Sequence, residues 1–117
     1  METRCVFCDT GETRGWVCRH CRNALPWNRN CCGRCALPLD AQIEAGVPCA
    51  DCQKRPPAFF AACAPLRYAF PVDGALKALK FRRDLSYAPA LAALTASCFV
   101  ARFPGCDALV PVPPHRW

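Results

Sequence analysis

Four Cys-x2-Cys pairs crowded between Cys5 and Cys52, a change of composition at Lys54-Arg55-Pro56-Pro57, and a helix, helix, strand pattern beyond it predict a two-part fold. Residues 1–57 read as a small metal-stabilised module of two ribbons, and residues 58–117 as an incomplete α/β segment.

Composition supports the first part before any motif is weighed. A chain of 117 residues with 12 cysteines is too short to leave that density without purpose, so cysteine chemistry must help hold it together. A hydrophobic fraction of 53% against 21% charged residues excludes a disordered chain. Ala58–Leu66, read as the longest uncharged apolar run, is half a membrane span, so no membrane insertion is expected. The start Met1-Glu2-Thr3-Arg4-Cys5 carries no secretory pattern. The expected location is therefore cytoplasmic, where thiols stay reduced and clustered cysteines bind metal.

Nine of the cysteines fall in residues 1–57, and eight form a repeat: Cys5-x2-Cys8, nine residues, Cys18-x2-Cys21, then Cys32-x2-Cys35, thirteen residues, Cys49-x2-Cys52. Two intervening residues let a tight turn aim both sulfurs at one ion about 2.3 Å away, and the turn's N–H groups can ease the thiolate charge. Two such knuckles complete a tetrahedron, so the eight cysteines predict two structural Zn²⁺ sites in a double zinc ribbon. The knuckles can pair sequentially or in a cross-braced order. Loop closure favours the sequential order, with a short hairpin in each spacer and Gly11 and Gly46 supplying positive φ.

Cys31 breaks the two-residue gap and reads as a spare thiol, and His20 as a knuckle side chain outside the ligand set. Phe7, Trp16 and Trp27 read as apolar covers for the metal sites, although a nucleic-acid reader would stack bases on such rings. A redox dithiol normally occurs once, near a βαβ pattern; four copies without one favour structural zinc. Four thiolates leave no open coordination position, so the metal holds the fold and performs no hydrolysis. Eight thiolates and two Zn²⁺ also lower the formal charge from +6 to about +2, which weakens any nucleic-acid argument from bulk charge.

Beyond the double proline, Ala64–Phe70 reads as an extended stretch and Asp73 as the N-cap of a helix over Gly74–Phe81. Lys77, Lys80, Arg82 and Arg83 form a basic cluster there, most simply a solvated face. Ser86 and Pro89 open a second helix, with Leu91, Leu94 and Cys98 on one face, running to about Arg102. Cys98 reads as a small buried apolar residue. After Pro104-Gly105, Asp107–Pro113 reads as a buried strand entering a proline-stiffened loop.

The cysteine pairs, then Arg34-Cys35-Ala36-Leu37-Pro38-Leu39, Tyr68–Phe81 and Asp107-Ala108-Leu109-Val110-Pro111-Val112-Pro113 together resemble the ComF (competence protein F) family, in order and over nearly the whole chain. The resemblance implies a double zinc ribbon joined to a type I phosphoribosyltransferase-like domain, in bacterial proteins linked to uptake or use of external DNA. It further implies competence or DNA-processing proteins as partners, and single-stranded DNA is a separate candidate partner. Family members continue past the Val-Pro-Val-Pro strand to the loop that cradles phosphoribosyl pyrophosphate, whereas this sequence stops at His115-Arg116-Trp117. Mg²⁺ and phosphoribosyl pyrophosphate therefore apply only to a complete transferase domain, and this chain alone is expected to be inactive.

His115 and Arg116 fall where the family's first pyrophosphate-side loop begins and are the candidate substrate-binding residues. The last strand, lacking neighbours, is expected to pack poorly. The alternative reading is a stand-alone zinc-ribbon adaptor. It would bind a protein or single-stranded nucleic acid through Arg4, Arg14, Arg19, Arg22, Arg29 and Arg34.

Overall fold

The computed structural model describes residues 2–11 and 13–113. The first ribbon begins with a two-stranded antiparallel hairpin, β1 (Glu2–Thr3) against β2 (Thr13–Arg14), with Glu2 opposite Arg14 and Thr3 opposite Thr13. Thr13 is buried, and its hydroxyl is satisfied by the carbonyls of Thr3 at 3.2 Å and Gly15 at 2.6 Å. Helix α1 (Arg19–Ala24) follows, with Cys18 as its N-cap.

The second ribbon repeats this plan with less regular structure. An isolated bridge joins Cys31 to Pro38, and α2 (Ala50–Lys54) starts from Cys49. The hairpins therefore do not lie inside the nine- and thirteen-residue spacers, as spacing alone suggested. They enclose the first knuckle of each ribbon, because the knuckle is itself a tight reversal and brings its flanks together.

Helices α3 (Val72–Phe81) and α4 (Ala88–Arg102) form the second half, joined through a short 3₁₀ turn at Leu85–Tyr87. Asp84 caps that turn through Ser86, whose hydroxyl and N–H hold the Asp84 carboxyl below its usual pKa. Helix α3 starts two residues earlier than predicted, with Pro71 at the N-cap. Asp73 lies inside the first turn, where its carboxylate accepts the Gly74 N–H at 2.8 Å. Helix α4 ends at Arg102, as its apolar periodicity predicts.

The main hydrophobic cluster joins Cys5, Val17 and Leu25 of the first ribbon to Val72, Ala90 and Leu94 of the helices. Leu94, only 2% exposed, is among its most deeply buried side chains. Phe7 and Trp27 pack against this cluster; Phe7 also meets the Tyr87 ring at 6.2 Å. Residues 26–28 run antiparallel to 65–67, with the Asn28 N–H on Pro65 and the Arg67 N–H on Pro26, both at 2.8 Å. The Asn28 amide nitrogen extends the seam to the carbonyls of Ala36 at 2.8 Å and Ala64 at 3.0 Å.

Three expectations are corrected. Asp107–Pro113 forms no strand; it is exposed coil, with Val110 86% and Val112 91% exposed, because an extended segment becomes a strand only beside a partner. Cys98 is not a plain apolar side chain, since it is disulfide-bonded to Cys63. The stretch Leu85–Arg102 is longer than Ala58–Leu66 and, by length and composition alone, apolar enough to cross a membrane. Within this fold Ala90 and Leu94 of that stretch lie in the shared core.

Two glycines make opposite predictions. A Cβ on Gly33 would fall on the Gly46 backbone, 2.9 Å from its carbonyl carbon, whereas one on Gly74 meets nothing. Gly33→Ala should therefore weaken zinc retention in the second ribbon, read by chelator competition. Gly74→Ala should raise stability to urea by about 0.5–1 kcal/mol. Equal zinc retention in Gly33→Ala and wild type would contradict the close approach.

Candidate metal centres

The knuckles are built by local backbone bonds. In the first ribbon the Asp9 N–H donates to the Cys5 carbonyl at 2.9 Å and the Cys5 N–H to the Thr10 carbonyl at 3.0 Å. In the second the Ala36 N–H donates to the Cys32 carbonyl at 3.1 Å and the Cys32 N–H to the Leu37 carbonyl at 2.8 Å. Asp9 and Ala36, each immediately after a knuckle, hold positive φ values of 58° and 65°. Of the glycines expected at reversals, Gly46 has φ +88°, but in the first ribbon the positive φ falls on Gly15, at +98°, and not on Gly11.

Two groups of sulfurs result: Cys5, Cys8, Cys18 and Cys21 in one, and Cys32, Cys35, Cys49 and Cys52 in the other, each within 4.8 Å of one another. The pairing is sequential. A tetrahedron with metal–sulfur bonds of about 2.3 Å has sulfur–sulfur edges of about 3.8 Å. Cys8 to Cys18 is 3.7 Å and Cys35 to Cys49 is 3.8 Å, the edges that join one knuckle to the next. Such separations fit a tetrahedral ion and are far too long for a disulfide.

Electrostatics repeat between the ribbons. Cys32 Sγ accepts the N–H groups of Cys49 at 3.2 Å, Arg34 at 3.3 Å and Cys35 at 3.4 Å. Burial raises the Cys32 thiol, but these donors prevail and bring its pKa down to about 6. Cys5 behaves alike: burial is outweighed by the N–H groups of Cys18, Cys8 and Phe7, and its pKa also falls to about 6. The last cysteines go the other way. Burial and neighbouring sulfurs push Cys52 up to about 12 and raise Cys21 as well. A bound Zn²⁺ would supply the positive charge that makes all four sulfurs of a site thiolates.

The outer contacts differ. The Thr10 hydroxyl, 2.7 Å from Cys8 Sγ, lowers the Cys8 thiol. In the second ribbon the Leu37 N–H favours the Cys35 thiolate, but burial and the Cys32 sulfur leave that thiol raised. Thr10 was not singled out in the sequence; a hydroxyl two residues after a knuckle was its only signal.

The remaining sequence candidates separate from the sulfurs. Cys31 is a half-buried free thiol outside both clusters, and His20 is exposed on α1. Trp27 is held by its indole N–H on the Arg22 carbonyl at 2.8 Å, while Trp16 remains exposed. Arg4 pairs with Asp9 at 3.2 Å; Arg14, Arg19, Arg22 and Arg29 are exposed. Arg34 is occupied by the carbonyls of Pro57 at 3.2 Å and Phe59 at 3.3 Å. His115 and Arg116 lie outside the described residues.

Paired knuckles that gather two four-sulfur clusters are the arrangement of a zinc ribbon. More particularly, residues 2–53 match the double zinc ribbon domain family, and this segment is such a domain. Neither the search of curated proteins nor that of solved structures gives a match to the chain.

Cys5→Ser and Cys32→Ser are each expected to lower zinc content from two equivalents per chain to one, by elemental analysis of reduced protein, while Cys31→Ser keeps both. Loss of zinc in Cys31→Ser would refute the assignment of ligand sets. The pH dependence follows from the depressed thiols. Cys5 and Cys32, with pKa about 6, are already thiolates near neutrality, so each site releases fewer than four protons on binding zinc there. Affinity falls as pH falls, and more steeply below about pH 6, where these two thiolates protonate as well. Chelator competition across that range measures the slope; an unchanged slope would contradict the shifts.

Proposed function

We propose that Cys5, Cys8, Cys18 and Cys21 hold one structural Zn²⁺, and Cys32, Cys35, Cys49 and Cys52 a second. In this reading the double ribbon is the scaffold and docking module of a cytoplasmic, ComF-like bacterial protein serving DNA uptake or use. Helices α3 and α4 are the opening of its phosphoribosyltransferase-like part. The observation that carries the reading is the pairing of two closed sulfur sites with many exposed large apolar side chains beyond them. Phe70, Phe81, Leu85, Val100, Leu109 and Val110 are exposed, the kind of side chains a parallel sheet covers in an α/β domain. Sulfur sites without an open coordination position leave the chain with a structural use of metal, and no transferase chemistry is assigned to it.

A second reading, an adaptor for single-stranded nucleic acid, is favoured by one observation. Arg14, Arg19, Arg22 and Arg29 are exposed and make no ion pair among the described residues.

Calorimetry with phosphoribosyl pyrophosphate and Mg²⁺ tests the first reading. The 117-residue chain should show neither binding nor turnover, and saturable Mg²⁺-dependent binding would overturn that. Anisotropy with labelled oligothymidylate at graded KCl tests the second. Salt-sensitive binding abolished by Arg19→Glu/Arg22→Glu would establish the adaptor; no binding at low salt would eliminate it.

A further inference from the structure

Cys63 and Cys98 belong to neither sulfur cluster, yet the fold brings them together across 35 residues of sequence, with Cα atoms 6.8 Å apart and the sulfurs bonded. Both are half-buried, so small reagents can reach them. Cys63 lies on the segment leaving the second ribbon, and Cys98 on the C-terminal part of α4.

The position of this pair matters because the two ribbons are attached to the helices by different means. The first ribbon shares a hydrophobic cluster with Val72, Ala90 and Leu94. The second has its own small cluster, formed by its cysteines and Leu39, with no residue of α3 or α4 in it. Its direct tie to α4 is polar: the Arg102 guanidinium donates to the Gly33 carbonyl at 2.6 Å. Its ties to the connecting segment are the Arg34 bonds to Pro57 and Phe59, the Ala62 N–H on the Arg34 carbonyl at 2.9 Å, and the Asn28 amide that bridges the Ala36 and Ala64 carbonyls. The Arg102 and Phe59 contacts are exposed and the Pro57 contact is half-buried; solvent-reachable polar contacts of this kind open at lower cost than a packed apolar seam. The Cys63–Cys98 bond is the covalent element beside them.

We propose that Cys63 and Cys98 form a reversible redox clasp that fastens the second ribbon to α4 when oxidised and releases it when reduced. Oxidation removes two protons and two electrons from the two thiols and forms one S–S bond. A small disulfide such as oxidised glutathione accepts the electrons, and its S–S bond breaks to two thiols by way of a mixed disulfide. Attack by the second protein thiol expels glutathione and closes the clasp. The cluster cysteines stand apart from this exchange when their thiolates are bound to metal. Cys31 and Cys106, free thiols outside the clusters, serve as internal references. The clasp is independent of whether the ribbon binds nucleic acid or joins a transferase domain.

The test equilibrates the zinc-loaded full chain in glutathione buffers of graded potential, traps free thiols with iodoacetamide, and maps them by mass spectrometry. Hydrogen exchange is read on the same samples. Cys63 and Cys98 should lose alkylation together at one midpoint, with zinc content unchanged and Cys106, which has no resolving thiol, either alkylated or carrying glutathione and never in a protein disulfide. Oxidation should slow exchange at Ala62 and Gly46 several-fold and leave first-ribbon amides unaffected. Cys63→Ser and Cys98→Ser should each keep the reduced exchange pattern in oxidising buffer, and the double variant should add nothing. Should either serine variant fold poorly, Cys63→Ala and Cys98→Ala provide the same comparison. Separate midpoints, a stable glutathione adduct at either cysteine, zinc loss in step with oxidation, or exchange indifferent to potential would each overturn the clasp.

Discussion

The N–H groups that converge on Cys5 and Cys32 are the interaction on which the rest of the structure depends. The first knuckle of each ribbon turns backbone donors toward its first sulfur, and one further donor arrives from the partner knuckle, Cys18 in the first ribbon and Cys49 in the second. That crossing contact places the second knuckle where its sulfurs complete a tetrahedron. With the geometry set, the ribbons need little regular structure: the strands of the first are two residues long, and the second has only a bridge. Zinc bound in these sites would supply order that so short a chain obtains poorly from apolar burial alone.

The ribbons are similar in plan and unequal in support. The first shares one hydrophobic cluster with α3 and α4, in which Cys5, Val17 and Leu25 join Val72, Ala90 and Leu94, so its metal site forms one edge of a hydrophobic core. The second relies on its sulfurs, on Gly33 admitting the Gly46 backbone, and on polar stitches from Arg34 and Arg102. This difference follows from where apolar side chains fall: Phe7, Trp27 and Leu66 all serve the first cluster, and only Leu39 supports the second.

The sulfur clusters were legible in the sequence because their signal is local. A two-residue gap between cysteines restricts the backbone in between, and short spacers make sequential pairing the shortest loop to close. The helices were legible for the same reason, with α4 ending where its apolar periodicity ends at Arg102. Local reasoning erred where equivalent residues compete. Gly11 and Gly15 both lie in the first spacer, and the positive φ falls on Gly15, just past β2; Asp9 and Ala36 take positive φ although nothing in their chemistry demands it.

The sequence by itself determined which cysteines can serve as ligands and where the two longer helices, α3 and α4, run, since both depend on residues a few positions apart. The tertiary structure alone decided that the second half shares a hydrophobic cluster with the first ribbon, that Asn28 ties residues 26–28 to the connecting segment, and that Cys63 meets Cys98. It also decided that Asp107–Pro113 is coil. Such contacts join residues tens of positions apart, carry no periodic signature, and exist only when the intervening chain has folded; a strand in particular is a property of a pair of segments and not of one.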